Sequence, residues 1–429
     1  MEFQRILYQS IVWRGFYFAT QLLLNILIAR VYEPSGSGWL FYTLNNYAFV
    51  ILVLSLSIDS GMGYYLAAGK IKPSKLSALG LTWTLLASFL SFLWLYYYAS
   101  PPQESKRFFL AVSVGYIAGS MMISFFSALF HARKNFMTPN LVLVSINSIM
   151  IGLLGVLYYG NQQFISSQDF ILIYIFSFFI QGLLLAVFFQ VHASEKMAFP
   201  SSPELKWLLG YSLLAFTGNL LTFLVFRVDY WLIQYFGRNS EELGNYIQVS
   251  KLAQLFFTLP SVLATAVFPL TAGGLPSIGT DLKILSRIVF IAALSGCLVL
   301  ALTGYWLFPA VFGEKFDDMY LPFLLLAPGI IAICLAYPLA GYFSGRNRIS
   351  VNIFSSLLAL ILIVAGNIIF IPLYGIRGAA AVSSIGYISL CGFLLFNFKK
   401  YETAGARDLV VPRKADLAWL RQFMKKRAN

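Results

Sequence analysis

An all-α polytopic membrane protein, with twelve transmembrane helices in two six-helix lobes, is what the sequence predicts, and three observations carry that prediction. Of 429 residues, 59% are hydrophobic and only 11% charged, with mean hydropathy +0.76, whereas a soluble domain is typically about 25% charged. Apolar runs recur about a dozen times, most of them ~20 residues or longer, enough to cross ~30 Å of hydrocarbon as helix. Matching stretches also return about 210 residues apart, the mark of an internal repeat.

The spans fall near 8–31, 39–66, 76–99, 108–131, 140–160, 169–191, 206–236, 243–271, 282–309, 320–344, 349–371 and 376–398. The first apolar run starts at once and is too long for a cleaved leader. Loops between spans are short, none longer than about fifteen residues. Cys297, Cys334 and Cys391 sit inside apolar segments at unrelated spacings and read as small packing residues.

Charge orients the bundle. With the N-terminus in the cytoplasm, cytoplasmic segments hold 21 of the 30 Lys+Arg and outer loops hold six, leaving three inside the membrane. That asymmetry obeys the positive-inside rule and places both termini in the cytoplasm. The net charge of +13 is therefore a topology signal, and nucleic-acid binding need not be invoked. Beyond Pro412, Leu417, Leu420, Phe423 and Met424 recur at helical spacing among Arg413, Lys414, Arg421, Lys425, Lys426 and Arg427. The tail reads either as a helix lying on an anionic leaflet or as a disordered basic anchor of orientation.

The repeat sets the domain organisation. Phe130-His-Ala-Arg133 answers Phe343-Ser-Gly-Arg346, Tyr159-Gly160 answers Tyr374-Gly375, and Gly38 answers Gly244, at offsets of 213, 215 and 206. Spans one to six thus map onto seven to twelve. Because six is even, the halves enter the membrane in the same direction, as parallel repeats with the substrate path expected between them. The expected division is 1–195 for the first lobe, 196–205 for a linker with Pro200 and Pro203, 206–399 for the second lobe and 400–429 for the tail.

Enzymatic signatures are missing. The chain shows no Cys–His metal spacing, no Walker loop, no Gly-rich phosphate loop opening a helix and no paired carboxylates. Ser35-Gly36-Ser37-Gly38 is an outer turn before Trp39. His131 and His192 end cytoplasmic helix turns and read as interfacial caps.

What remains is charge inside the membrane: Arg14, Asp59, Arg227, Asp229 and Lys251. A charge at the bilayer centre costs roughly 2.5 to 3.5 kcal/mol on insertion scales, so such residues face a bundle interior or a cavity. Three are positive and two negative, which suits a pathway for something anionic. Polar neighbours extend these into stripes: Arg14, Gln21 and Asn25 on span one, Asn219, Thr222 and Asp229 on span seven, Lys251, Gln254 and Thr258 on span eight. By depth, Arg14 and Asp59 are candidates to pair, as are Asp229 and Lys251, leaving Arg227 towards the lumen. The competing readings are structural pairs between helices and, for Arg14, snorkelling to the interface. Pro260 and Pro269 on span eight, and Pro322, Pro328 and Pro338 on span ten, are expected to bend their helices.

These residues carry a family resemblance. Arg227-Val-Asp229-Tyr230, then Leu243-Gly244-Asn245-Tyr246 and Lys251-Leu252, resemble the seventh-to-eighth helix signature of polysaccharide flippases. Ala29-Arg30 with its Gly-rich turn and Ile371-Pro372-Leu373-Tyr374-Gly375-Ile376-Arg377-Gly378-Ala379-Ala380 resemble it too. The chain is similar to Wzx-type flippases of the multidrug/oligosaccharidyl-lipid/polysaccharide exporter superfamily along essentially its whole length.

The resemblance implies a multi-pass protein of the bacterial inner membrane. It would move undecaprenyl-pyrophosphate-linked oligosaccharide, an O-antigen, capsule or exopolysaccharide unit, to the outer leaflet, alongside other glycan-assembly membrane proteins. It implies pyrophosphate binding at Arg14 and a cationic cavity with Arg227; the charges and polar stripes read above add Gln21, Asn25, Asp59 and Lys251 to the expected substrate path. It requires no cofactor, but a Na+ or H+ gradient can couple through Asp229 and Asn367; the further helix-eleven acids of that cation site are absent here. The alternatives are a multidrug exporter of the same superfamily, a membrane glycosyltransferase or ligase, and a scaffold. Arg14 stands where a multidrug exporter often carries an acid, and short loops without a catalytic cluster disfavour the enzymes.

Overall fold

The chain is almost wholly helix because it alternates long apolar runs with short polar segments that cap them. In a computed structural model, residues 2–98, 106–159, 166–193, 196–237, 239–272, 278–402, 406–413 and 416 are described. The elements are α1 Glu2–Ser55, α2 Ile58–Ala67, α3 Pro73–Tyr98, α4 Lys106–Ala132, α5 Met137–Tyr159, α6 Ser167–Ala193, α7 Ser202–Phe236, α8 Ser240–Ala272, α9 Ile278–Phe312, a 3-10 turn Glu314–Met319, α10 Tyr320–Gly345, α11 Ile349–Tyr401 and α12 Ala406–Val410. Among the described residues no strand occurs, and ten helices are long and apolar enough to cross a membrane.

Caps explain where the helices start. Asn135 Oδ1 accepts from the Thr138 amide ahead of α5, and Ser166 Oγ accepts from Asp169 ahead of α6. Ser201 opens α7 as a capping box, its amide and hydroxyl both donating to Glu204, which also binds Lys75 at 2.8 Å. Asn239 Oδ1 accepts from the Glu242 amide at the start of α8. Each cap satisfies an amide that the first helical turn leaves without a partner.

The two longest helices are each two helices merged across a kink. In α1 the break is Glu33, at φ 58° and ψ 179°; in α11 it is Gly375, at φ 58° and ψ −141°. Span two departs from expectation: it does not run unbroken from 39 to 66. Leu56 and Ser57 are consecutive left-handed residues, φ 48° and 53°, and the helix restarts as α2. Polar side chains answer the backbone released there. Trp83 Nε1 donates to Leu54 O at 2.8 Å, Ser55 Oγ accepts from Ser57 N at 3.4 Å, and Asn219 Nδ2 holds the Ser57 hydroxyl at 3.0 Å. Irregular backbone at membrane depth survives only where protein groups satisfy it in this way. By contrast, α10 runs through Pro328 and Pro338 without a break.

Two compact units form. The first comprises 1–32 and 42–220, the second 33–41 and 221–429, so the division falls within α7. In the first unit α4 packs against α2, α3 and α6; in the second, α10 packs against α8, α9 and α11. These are the most enclosed apolar helices, 67% and 61% buried over their most apolar windows.

The repeat is visible in the backbone at this level. After α4, Lys134 is left-handed at φ 60°, its amide donates to His131 O, and the Asn135 amide donates to Phe130 O. After α10, Asn347 is left-handed at φ 58°, its amide donates to Ser344 O, and the Arg348 amide donates to Phe343 O. Both are the same helix-ending turn, residue for residue at the 213 offset.

The three cysteines are buried and unbridged. The basic stretch from Leu417 lies outside the described residues, as does the side chain of His192.

Candidate functional site

In the first unit, Arg14 is half-buried on α1. Its guanidinium lies over the Phe136 ring, 5.8 Å from the centroid, and His131 stacks on the same ring at 4.8 Å. The His131 Nε2 is buried without a hydrogen-bond partner. Further along the helix Gln21 bonds the Tyr17 hydroxyl, and Asn25 is half-buried.

Asp59 does not pair with Arg14 as their depths suggested. It stands in the first turn of α2, where the break turns a helix N-terminus towards it, and its carboxylate is engaged by Ser124 of α4 and by backbone amides at Ser60 and its own position. Helix-terminal amides and a hydroxyl take the place of a counter-ion.

The second unit gathers Arg227, Asp229, Lys251 and Asn367. Arg227 Nη2 donates to Gln254 Oε1 at 3.0 Å and lies over the rings of Phe223 and Tyr230 at 5.8 and 5.9 Å. Asp229 is 1% exposed. One of its oxygens accepts from the Tyr246 hydroxyl and, at 3.3 Å, from Ser383, while the other accepts from the Tyr230 amide at 3.0 Å.

The expected Asp229–Lys251 ion pair is therefore corrected. Neutral donors on α8 and α11 occupy the carboxylate, and Lys251 Nζ lies instead on the Phe41 ring, 2.7 Å from its centroid. A buried carboxylate is tolerated when its lone pairs are met by hydrogen bonds. Asn367 is fully buried, and neither its amide oxygen nor its amide nitrogen has a hydrogen-bond partner. Its neighbour Gly366 packs against Val382, beside Ser383.

Sequence reasoning missed Ser124, His131, Phe136, Phe41 and Ser383 as partners of these charges. Tyr246, Tyr230 and Gln254 did have a signal, the two tyrosines in the quoted motifs and Gln254 on the polar stripe with Lys251. Each of the three cations thus lies on an aromatic ring: Arg14 on Phe136, Arg227 on Phe223 and Tyr230 with a hydrogen bond to Gln254, and Lys251 on Phe41.

No family model and no curated protein matches the sequence. Solved structures do. The chain is similar to the lipid II flippase MurJ in an inward closed conformation, with TM-score 0.69 and 14% identity over 93% of this chain and 89% of that one. It is similar to an inward-facing multidrug resistance MATE family transporter of the MOP superfamily, with TM-score 0.68 and 13% identity over 90% and 96%. A MOP superfamily transporter from Pyrococcus furiosus, described as having a binding pocket of reverse polarity, matches with TM-score 0.63 and 13% identity over 92% and 95%. The fold is that of the MOP-superfamily transporters.

Proposed function

We propose that the protein is a Wzx-type flippase of the bacterial inner membrane, moving undecaprenyl-pyrophosphate-linked oligosaccharide to the outer leaflet by alternating access. The observation that carries this reading is the set Arg14, Arg227 and Lys251: three cations on apolar helices, resting on aromatic rings and an amide, in a chain with the fold of a lipid-linked-substrate flippase. Counting α1 and α11 as two crossings each, around Glu33 and Gly375, brings the ten long helices to twelve. Both termini are then cytoplasmic by the positive-inside pattern. Arg14 binds the pyrophosphate, with Gln21, Asn25, Asp59, Arg227 and Lys251 in the substrate path.

A coupling cation or proton fits Asp229 and Asn367. The buried amide of Asn367 has unused bonding capacity, and Asp229 offers the charge. These residues and the Ser383 hydroxyl would hold a monovalent ion, which supplies a gradient-driven bias between conformations.

The test is complementation of a flippase-null strain. Arg14→Ala should abolish surface glycan at normal protein level, and Arg14→Lys should keep a fraction, since lysine keeps the charge but loses the bidentate fork. Normal glycan from Arg14→Ala would overturn the assignment. The second reading, a multidrug exporter, has the MATE structures in its favour. It predicts raised drug resistance on expression and no complementation.

A further inference from the structure

We propose that the cleft at the α10–α11 turn binds the phosphate of an anionic phospholipid from the leaflet on the side where these helices turn. The cleft has a volume of about 250 Å³ and is lined by Tyr342, Phe343, Arg346, Arg348 and Tyr401. Two guanidiniums and two phenols therefore meet in one small cavity, all within the second unit. None of these residues belongs to the transport site described above, so the inference holds whichever substrate the protein carries.

The guanidiniums keep donors to spare. Arg348 spends one on the Tyr401 hydroxyl at 2.5 Å and stacks on that ring at 4.3 Å. Arg346 lies over Tyr342 at 5.5 Å with half its side chain open to the surroundings. Glu402 forms a long salt bridge with Arg346 at 3.7 Å, too far for a hydrogen bond, and accepts from Tyr342 at 2.8 Å, which leaves the Arg346 donors unspent on it. A planar five-donor fork beside a second one is the arrangement that suits phosphate oxygens.

Backbone geometry adds to the charge. α11 starts at Ile349 without a side-chain cap, so its first amides point their positive end to the same turn that carries Arg346 and Arg348. The matching turn of the first unit is used differently: there Arg133 is stacked on Phe189 at 4.7 Å. Identical backbone with different surroundings argues that the open cleft is a property of the second unit's side chains rather than of the turn itself.

A lipid phosphate is favoured over a soluble anion by what adjoins the cleft. Along α11 the exposed face continues with Phe354 at 58%, Leu357 at 40% and Ile361 at 57% exposure, one helical stripe running away from the guanidiniums. On the returning half of α11, Lys400 lies over the exposed ring of Phe396 at 4.4 Å, placing another cation beside apolar surface. A headgroup in the cleft with acyl chains along this stripe uses all of these features. A soluble phosphate uses only the cleft.

The purified full-length protein in neutral detergent decides the matter. Wild type and an Arg346→Gln/Arg348→Gln double variant are titrated with phosphatidylglycerol, with phosphatidylcholine of the same chains, and with inorganic phosphate. Bound lipid is counted by native mass spectrometry and the unfolding temperature is followed in parallel. Wild type should retain phosphatidylglycerol in preference to phosphatidylcholine and unfold at higher temperature with it, and the double variant should bind it about tenfold or more weakly. Without lipid the two proteins should unfold at the same temperature; should the double variant fail to fold, Arg346→Gln alone replaces it. Equal retention of phosphatidylglycerol by wild type and variant, or equal retention of the two lipids by wild type, overturns the proposal. Displacement of phosphatidylglycerol by millimolar inorganic phosphate assigns the cleft to a soluble anion and overturns it as well.

Discussion

Tyr246 on α8 donates its hydroxyl hydrogen to the Asp229 carboxylate on α7, and Ser383 from α11 reaches the same oxygen at 3.3 Å. One buried carboxylate thereby ties three helices together through neutral hydrogen-bond donors. Tyr246→Phe should destabilise the protein by about 1 to 3 kcal/mol, because it strips a donor from a buried charge while preserving the ring. An unfolding temperature unchanged from wild type would show the bond to be dispensable.

Asp229 and Lys251 make no ion pair, so removing both should not restore what removing one loses. A true buried pair is destabilised strongly by either single change and much less by the double. Here Asp229→Asn and Lys251→Gln should each act by themselves, and the double variant should be no more abundant than the weaker single. Recovery of membrane abundance in the double variant is the outcome that contradicts the geometry.

Gly244 admits no side chain. A Cβ there would stand 1.9 Å from Pro34 O, and one on Gly38 would stand 2.7 Å from the Gly244 Cα. Both obstacles are backbone, which cannot rotate away. Gly244→Ala should cost about 1 to 3 kcal/mol or more through overpacking, seen as reduced membrane abundance and a lowered unfolding temperature. The change Gly152→Ala, where nothing lies within 4 Å, is the control and should be neutral.

The tail contact is pH-dependent in a defined direction. Arg287 Nε and Nη2 bind Asp416 at 2.7 and 2.5 Å, with both side chains buried. The Arg287 hydrogen bonds hold the Asp416 carboxyl below its ordinary value of 3.8. A depressed folded pKa adds stability that is present above pH 3.8 and lost as pH falls through the lowered value. The tail should therefore stay docked at neutral pH and release only in stronger acid, measured as amide exchange across 406–413. Asp416→Asn should release it already at pH 7, and continued protection there would refute the contact.

Much of this molecule is legible residue by residue. The apolar runs, the charges set within them and the 213-residue correspondence of Arg133 with Arg346 are properties of composition and spacing, and the last reappears as two matching backbone turns. The interruption at Leu56–Ser57 is not legible, because Leu-Ser-Leu-Ser reads as uninterrupted apolar helix. Its cause lies in Trp83 and Asn219, residues far away in sequence that stand ready to satisfy the freed backbone. The pairings failed for a related reason. Depth along a helix can be counted at 1.5 Å per residue, but rotation about its axis cannot, and rotation decides whether Lys251 meets Asp229 or Phe41.

The sequence by itself determined that the chain is helical, that it is apolar enough to cross a membrane many times, and that it carries cations on its apolar helices. Those are local consequences of hydropathy and periodicity, independent of what a helix touches. Only the tertiary structure decided that Asp229 is held by Tyr246 and Ser383, that Asp59 begins a new helix beside Ser124, and that Arg346 and Arg348 share a cleft with Tyr401. Hydrogen bonds act over about 3 Å, and which groups come that close is set by the packing of residues distant in the chain.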